Sequence, residues 1–128
     1  MPLALPQWLE TVTTFHNVPV TVHGSYDGFT ADTSSSALDA LLSIAKPEDI
    51  VIFKLDIDMP LLERGLVDRI ITEPALYSRI DEFFYEDHYI SNASEMGQYW
   101  NEGHTSIYQS FSLFQSLRRL GIMAHVWP

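Results

Sequence analysis

The stretch that decides the fold is DIVIFKLDID, which occupies positions 49–58. Its residues from Ile50 to Phe53 form a continuous apolar run, which is typical of a strand buried on both faces of a parallel sheet. Pro60 follows shortly afterwards and favours the start of a helix, because the first helical turn accepts proline. We therefore predict a buried strand that passes directly into a helix.

Strand and helix patterns continue to alternate after this stretch. The helix that opens at Pro60 carries Leu62, Leu66, Val67 and Ile70 on one face, and Pro74 limits it. Residues 81–89 predict a second strand, and residues 122–127 predict a closing strand. The helix between them is capped by Thr105 or Ser106, and its predicted core stripe is Ile107, Phe111, Phe114, Leu117 and Leu120.

The order strand, helix, strand, helix, strand over residues 50–127 is typical of an α/β protein with an open, mainly parallel sheet and flanking helices. In the N-terminal part, a helix is predicted from Pro6 to about Asn17, and a short strand up to His23. A second helix, capped by Thr33 or Ser34, follows. No linker divides the chain, so we expect a single domain over residues 1–128.

Composition excludes several classes of function. The chain has 128 residues, of which 46% are hydrophobic, and 17 acidic against 7 basic side chains give a net charge of −10. Nucleic-acid binding is not expected, because lysine and arginine must supply the affinity for phosphates. Without cysteine, thiolate metal sites and disulfides are excluded. Since no signal-peptide or membrane-span pattern is found, we expect no membrane association and a soluble, cytoplasmic protein.

Two strand ends carry the polar side chains that could perform chemistry. Period-2 alternation places Asp56 and Asp58 on one side of the first strand, and Glu86 and His88 share a face of the second. Because the carboxyl ends of parallel strands meet at one edge of a sheet, these four side chains are expected to converge. They are our candidate catalytic residues, as an acid/base cluster or, through Asp56, Asp58 and His88, as a divalent-metal site.

Structural interpretations of the same residues stay open. Asp58 precedes the helix that opens at Pro60, and a carboxylate in that position could simply cap the helix. His88 could be a hydrogen-bonded histidine at a sheet edge, with no ligand. Neither interpretation involves chemistry.

Three segments together resemble FkbM-like methyltransferases, a family of the class I S-adenosylmethionine-dependent superfamily. Residues 49–58 are similar to the family's "hhKhDhE" strand, and residues 80–88 look like its next strand, which ends in Glu-x-His. Residues 113–127 resemble its late helix and the strand after it. The resemblance covers residues 47–127, the C-terminal half of a Rossmann-like methyltransferase domain.

The resemblance implies a transferase that moves a methyl group from S-adenosylmethionine to the hydroxyl of a small molecule or sugar. Asp56 or Asp58 would orient or deprotonate the hydroxyl, with Glu86 and His88 as partners. The sequence departs from the family at Met59, which stands where glycine is usual, and the glycine-rich cofactor loop has no counterpart. Residues 1–46 are too few for the preceding strands, so we expect a truncated or divergent domain.

Two other functions remain open. An apolar strand that ends in Asp-x-Asp is also how nucleotide-sugar glycosyltransferases hold Mn²⁺ or Mg²⁺ on a diphosphate. A non-catalytic remnant could instead serve as an interaction domain, because an incomplete sheet exposes an edge that a second copy could cover as a homodimer. For the catalytic interpretations, the expected partner is a small-molecule substrate.

Overall fold

A computed structural model describes residues 6–14, 21–23, 30–32, 36–87, 89–90 and 105–127. The helices in these ranges are α1 (Gln7–Glu10), α2 (Ala37–Ile44), α3 (Pro60–Thr72), α4 (Pro74–Tyr77) and α5 (Ile107–Arg119). The strands are β1 (Thr21–His23), β2 (Thr30–Asp32), β3 (Ile52–Leu55), β4 (Glu82–Tyr85), β5 (Tyr89–Ile90), β6 (Thr105–Ser106) and β7 (Met123–Val126). None of these helices combines the length and the apolar character that crossing a bilayer would require.

The main sheet consists of three parallel strands in the order β3-β4-β7. Lys54 pairs with Phe84, which in turn pairs with His125, so β4 is the central strand. Because the strands are parallel, the chain must run back before it can enter the next strand. It does so through α3 and α4 after β3, and through α5 after β4. The predicted α/β class with a parallel sheet is therefore confirmed at this level, and the arrangement is compatible with a partial Rossmann-like fold. Two short pairs, β1-β2 antiparallel and β5-β6 parallel, lie apart from this sheet.

Helix α3 matches its prediction closely. It begins with Pro60 in its first turn, and Leu62, Leu66, Val67 and Ile70 are all buried. These positions recur at helical spacing, so one face of α3 packs into the core. The helix ends at Thr72, and α4 begins at Pro74, which cannot donate the backbone hydrogen bond that would continue α3.

Helix α5 begins at a capping box, in which Gln109 N–H donates to Ser106 Oγ and Ser106 N–H donates to Gln109 Oε1. The prediction that Ile107 and Phe111 belong to the core is wrong, because both side chains are exposed, Phe111 by 63%. Phe114 and Leu117 are buried as predicted. In the N-terminal half of the helix, the buried residue that faces the core is Ser110. The buried face is thus rotated away from the apolar stripe in the first two turns.

The prediction that the strand around Ile50 is buried on both faces is also wrong. β3 begins only at Ile52, and Ile50 is 84% exposed. One face of the sheet is the core, with Phe83 fully buried, while Ile52 on the other face is 61% exposed. In the described part of the chain β3 pairs only with β4, so it is an edge strand rather than an internal one.

Several predicted helix and strand boundaries also differ from those in the structure. The first helix ends at Glu10 rather than near Asn17, and residues from 15 to 20 lie outside the described ranges. Helix α2 is capped by Ser36, not by Thr33 or Ser34, because Ser36 forms a capping box with Asp39. The predicted strand over residues 81–89 ends at Tyr85, and β5 starts separately.

A charged network joins helices α2, α3 and α4. Arg69 of α3 bonds Asp39 of α2 (Nη2 to Oδ1, 3.1 Å) and Glu73 at the start of α4 (Nε to Oε1, 2.7 Å). Its Nη1 also donates to the hydroxyl of Ser36. The hydrogen bond from Arg69 holds the pKa of Asp39 at about 2, below its usual 3.8.

We expect this network to make stability depend on pH in the acid range. The unfolded chain protonates Asp39 near pH 3.8, whereas the folded chain keeps it ionised to about pH 2, so stability falls as the pH is lowered between these values. The Asp39 side chain is 41% exposed, so solvent screening reduces the expected loss to about 1 kcal/mol. Urea unfolding between pH 2 and 5 measures it. Arg69→Met should remove most of this part of the pH dependence, since only the hydrogen bonds from Ser36 to Asp39 remain, while Arg119→Met, on the exposed end of α5, should retain it.

Candidate functional site

Three carboxylates meet at the carboxyl edge of the main sheet. Asp56 follows directly after β3, Glu86 follows directly after β4, and Asp58 precedes α3. One oxygen atom from each of the three side chains can be chosen so that all lie within 4.8 Å of one another. The structure therefore brings together three of the four candidate residues, and His88 lies outside the described residues.

Backbone hydrogen bonds extend the sheet up to this edge. Glu86 N–H donates to the carbonyl oxygen of Leu55 at 3.3 Å, and Trp127 N–H donates to that of Tyr85 at 2.9 Å. These bonds continue the ladders beyond the last residues of the strands. Because β4 is the central strand, these two bonds hold its end on both sides. They place Glu86 beside Asp56.

Asp58 is not the N-cap residue of α3. The N-cap residue of α3 is Met59, and it makes no side-chain capping bond. Asp58 itself has φ 54°, in the left-handed region that aspartate tolerates better than most residues other than glycine. The strand has ended at Leu55, so Asp58 reaches the cluster through a tight turn and not through the strand alternation that the sequence suggested.

One lysine lies against the carboxylates. Lys54 Nζ is 2.9 Å from Asp56 Oδ2 and 4.2 Å from the centroid of the Trp127 ring. The Trp127 ring in turn meets Phe84 edge to face. Lys54 thus offsets part of the negative charge at this edge, and an aromatic ring stands beside it.

Two further acids, Glu63 and Asp87, are buried close to residues of the cluster, and neither is among the candidate site residues predicted from the sequence. Glu63 is completely buried and Asp87 almost so. Burial, and next the negative charges of Asp87 and Glu63, raise the pKa of Tyr85, which remains a neutral phenol. Glu63 could have been found, because it lies at helical spacing from Val67 and Ile70 on the apolar stripe of α3.

The arrangement supports two kinds of chemistry. Carboxylates accept hydrogen bonds from hydroxyl groups and can remove a proton from one of them. Carboxylate oxygens that lie this close together also suit hard cations such as Mg²⁺ and Mn²⁺. Both possibilities use the same three side chains.

S-adenosylmethionine fits the described residues only in part. The carboxylates could accept hydrogen bonds from its hydroxyl and amino groups. Nucleotide cofactors are also held by glycine-rich turns between a strand and a helix. The described part of the chain contains two glycines, Gly65 inside α3 and Gly121 between α5 and β7. Gly121 lies at the amino end of β7, whereas the carboxylates lie at the carboxyl ends of the strands. The described residues thus provide polar groups that could bind S-adenosylmethionine, but they include no glycine-rich turn between a strand and a helix.

Comparisons with protein-family models, with curated proteins and with solved structures gave no match to this chain.

Proposed function

We propose that the carboxyl edge of the main sheet binds the acceptor of a methyltransferase-like domain. The reaction would be O-methyl transfer from S-adenosylmethionine to a hydroxyl group of a small molecule or sugar. The observation that carries this proposal is the convergence of Asp56, Asp58 and Glu86 at the carboxyl ends of two adjacent parallel strands. Ligands of open α/β sheets bind outside these ends.

The three carboxylates would have different tasks. Asp56 would accept the proton of the hydroxyl that receives the methyl group, and Asp58 and Glu86 would hold neighbouring hydroxyls. S-adenosylmethionine would supply an electrophilic methyl group, so much of the acceleration would come from alignment of the acceptor oxygen. A base in the correct position adds typically about 10²–10⁴-fold.

The cofactor requirement can be tested by calorimetry with the whole chain. We expect saturable binding of S-adenosylmethionine and of S-adenosylhomocysteine, with adenosine alone as the control that should bind less tightly. Absence of detectable binding at millimolar S-adenosylmethionine would contradict catalysis of methyl transfer by this chain.

A divalent-cation site is the second candidate function, as in a metal-dependent transferase with an Asp-x-Asp strand end. It is favoured by the mutual spacing of 4.8 Å or less among the three carboxylate oxygens. An increase in melting temperature with Mn²⁺, lost in Asp56→Ala but kept in Asp68→Ala, would favour this candidate over the first. Asp68 is a suitable control because it is exposed on α3, outside the cluster.

A further inference from the structure

A buried carboxylate links the candidate site to the core of the protein. Glu63 lies in the first turn of α3 and has no exposed surface. Its Oε1 accepts a hydrogen bond of 2.8 Å from the backbone N–H of Ile57. Ile57 is the residue between Asp56 and Asp58, so the bond reaches the middle of the turn that carries both aspartates.

We propose that Glu63 is a positioning residue, which holds this turn so that Asp56 and Asp58 face Glu86. The effect on methyl transfer that we expect from Glu63 rests on the proposed function, because the same site is involved. Helix α3 is anchored in the core by Leu62 and Leu66, and Glu63 lies between them. The helix end of the hydrogen bond is rigid, so the bond restrains the turn that carries Asp56 and Asp58.

The local backbone explains why such a bond is needed. Asp58 has φ 54°, a conformation that residues other than glycine adopt at a cost. Met59 makes no side-chain cap that would stabilise the start of α3. The bond from Ile57 to Glu63 gives this turn a contact with the helix.

The test compares Glu63→Gln with Glu63→Met. Glutamine keeps an oxygen acceptor in the same place, whereas methionine has a similar size and lacks one. Two quantities are measured in each variant: amide hydrogen exchange of Ile57 by NMR, and the KM and kcat of methyl transfer. Unfolding in urea checks that both variants are folded under the assay conditions.

We expect Glu63→Gln to resemble the wild type in both measurements. In Glu63→Met the Ile57 amide should exchange about tenfold faster or more, since its acceptor is gone. Transfer by this variant should fall about tenfold, mainly through kcat, because the aspartates lose their alignment. Rescue by glutamine separates this role from a requirement for the negative charge.

Two outcomes would overturn the inference. The first is an Ile57 amide in Glu63→Met that exchanges as slowly as in the wild type. The second is a Glu63→Met variant with lower stability but unchanged KM and kcat, which would give Glu63 a structural role only. If the wild type itself transfers no methyl group, the proposed function fails, and the Ile57 exchange still decides whether Glu63 fixes the turn.

Discussion

Replacing Phe83 by alanine is expected to lower the free energy of unfolding by about 3–5 kcal/mol, the usual cost of truncating a fully buried phenylalanine. Phe83 is 0% exposed and lies in the central strand β4. Its ring stacks on Phe53 at 5.7 Å and on Tyr85 at 5.8 Å, measured between ring centroids. The cavity would therefore open on the buried face of the sheet, beside Phe53 and Tyr85. Urea unfolding measured at neutral pH gives the difference.

Phe111→Ala is the matched control for this prediction. The same side chain is removed, but Phe111 is exposed on α5, so the expected loss is below about 1 kcal/mol. The apolar stripe of α5 alone would predict a core position for Phe111. Equal losses for the two variants would show that α5 packs as the sequence suggested and would contradict the core described above.

The sequence predicts the fold best where apolar spacing and helix signals agree. Helix α3 has both, with Pro60 at its start and a buried stripe at helical spacing, and the structure reproduces it. The prediction failed for Ile50 and Ile52 because burial of a strand depends on what covers the sheet. A run of apolar residues contains no information about a neighbouring strand or helix far away in the chain.

The candidate site shows the same limit. The sequence placed Asp56 and Glu86 at the ends of two parallel strands, and topology alone then brings them together. Asp58 was assigned to the same side by strand alternation, although a turn with positive φ carries it there. The role of Glu63 depends on a bond between a helix and the preceding turn, and spacing shows only that this side chain faces the core.

The second large effect is expected for Asp56→Asn. Asparagine keeps the shape of the side chain but cannot take up the proton of an acceptor hydroxyl, so methyl transfer should fall by about 10²–10⁴-fold. Loss of the ion pair with Lys54, whose side chain is 47% exposed, should cost less than about 1 kcal/mol of stability. Reduced transfer would then reflect the site and not unfolding.

Asp68→Asn provides the control for charge. It removes one negative charge from α3 and leaves Asp56, Asp58 and Glu86 in place. Its transfer rate should equal that of the wild type. If Asp68→Asn lost activity to the same extent as Asp56→Asn, the general charge of the chain, and not the cluster, would be responsible.

The most direct measurement of the central claim is transfer of a tritium-labelled methyl group from S-adenosylmethionine to a panel of monosaccharides and simple polyols. The wild type, Asp68→Asn and Asp56→Asn are compared at equal protein concentration. We predict equal transfer by the first two and a loss of about 10²–10⁴-fold in Asp56→Asn. Undiminished transfer by Asp56→Asn, or no transfer by the wild type to any member of the panel, would contradict the assignment of this carboxylate edge as the acceptor site.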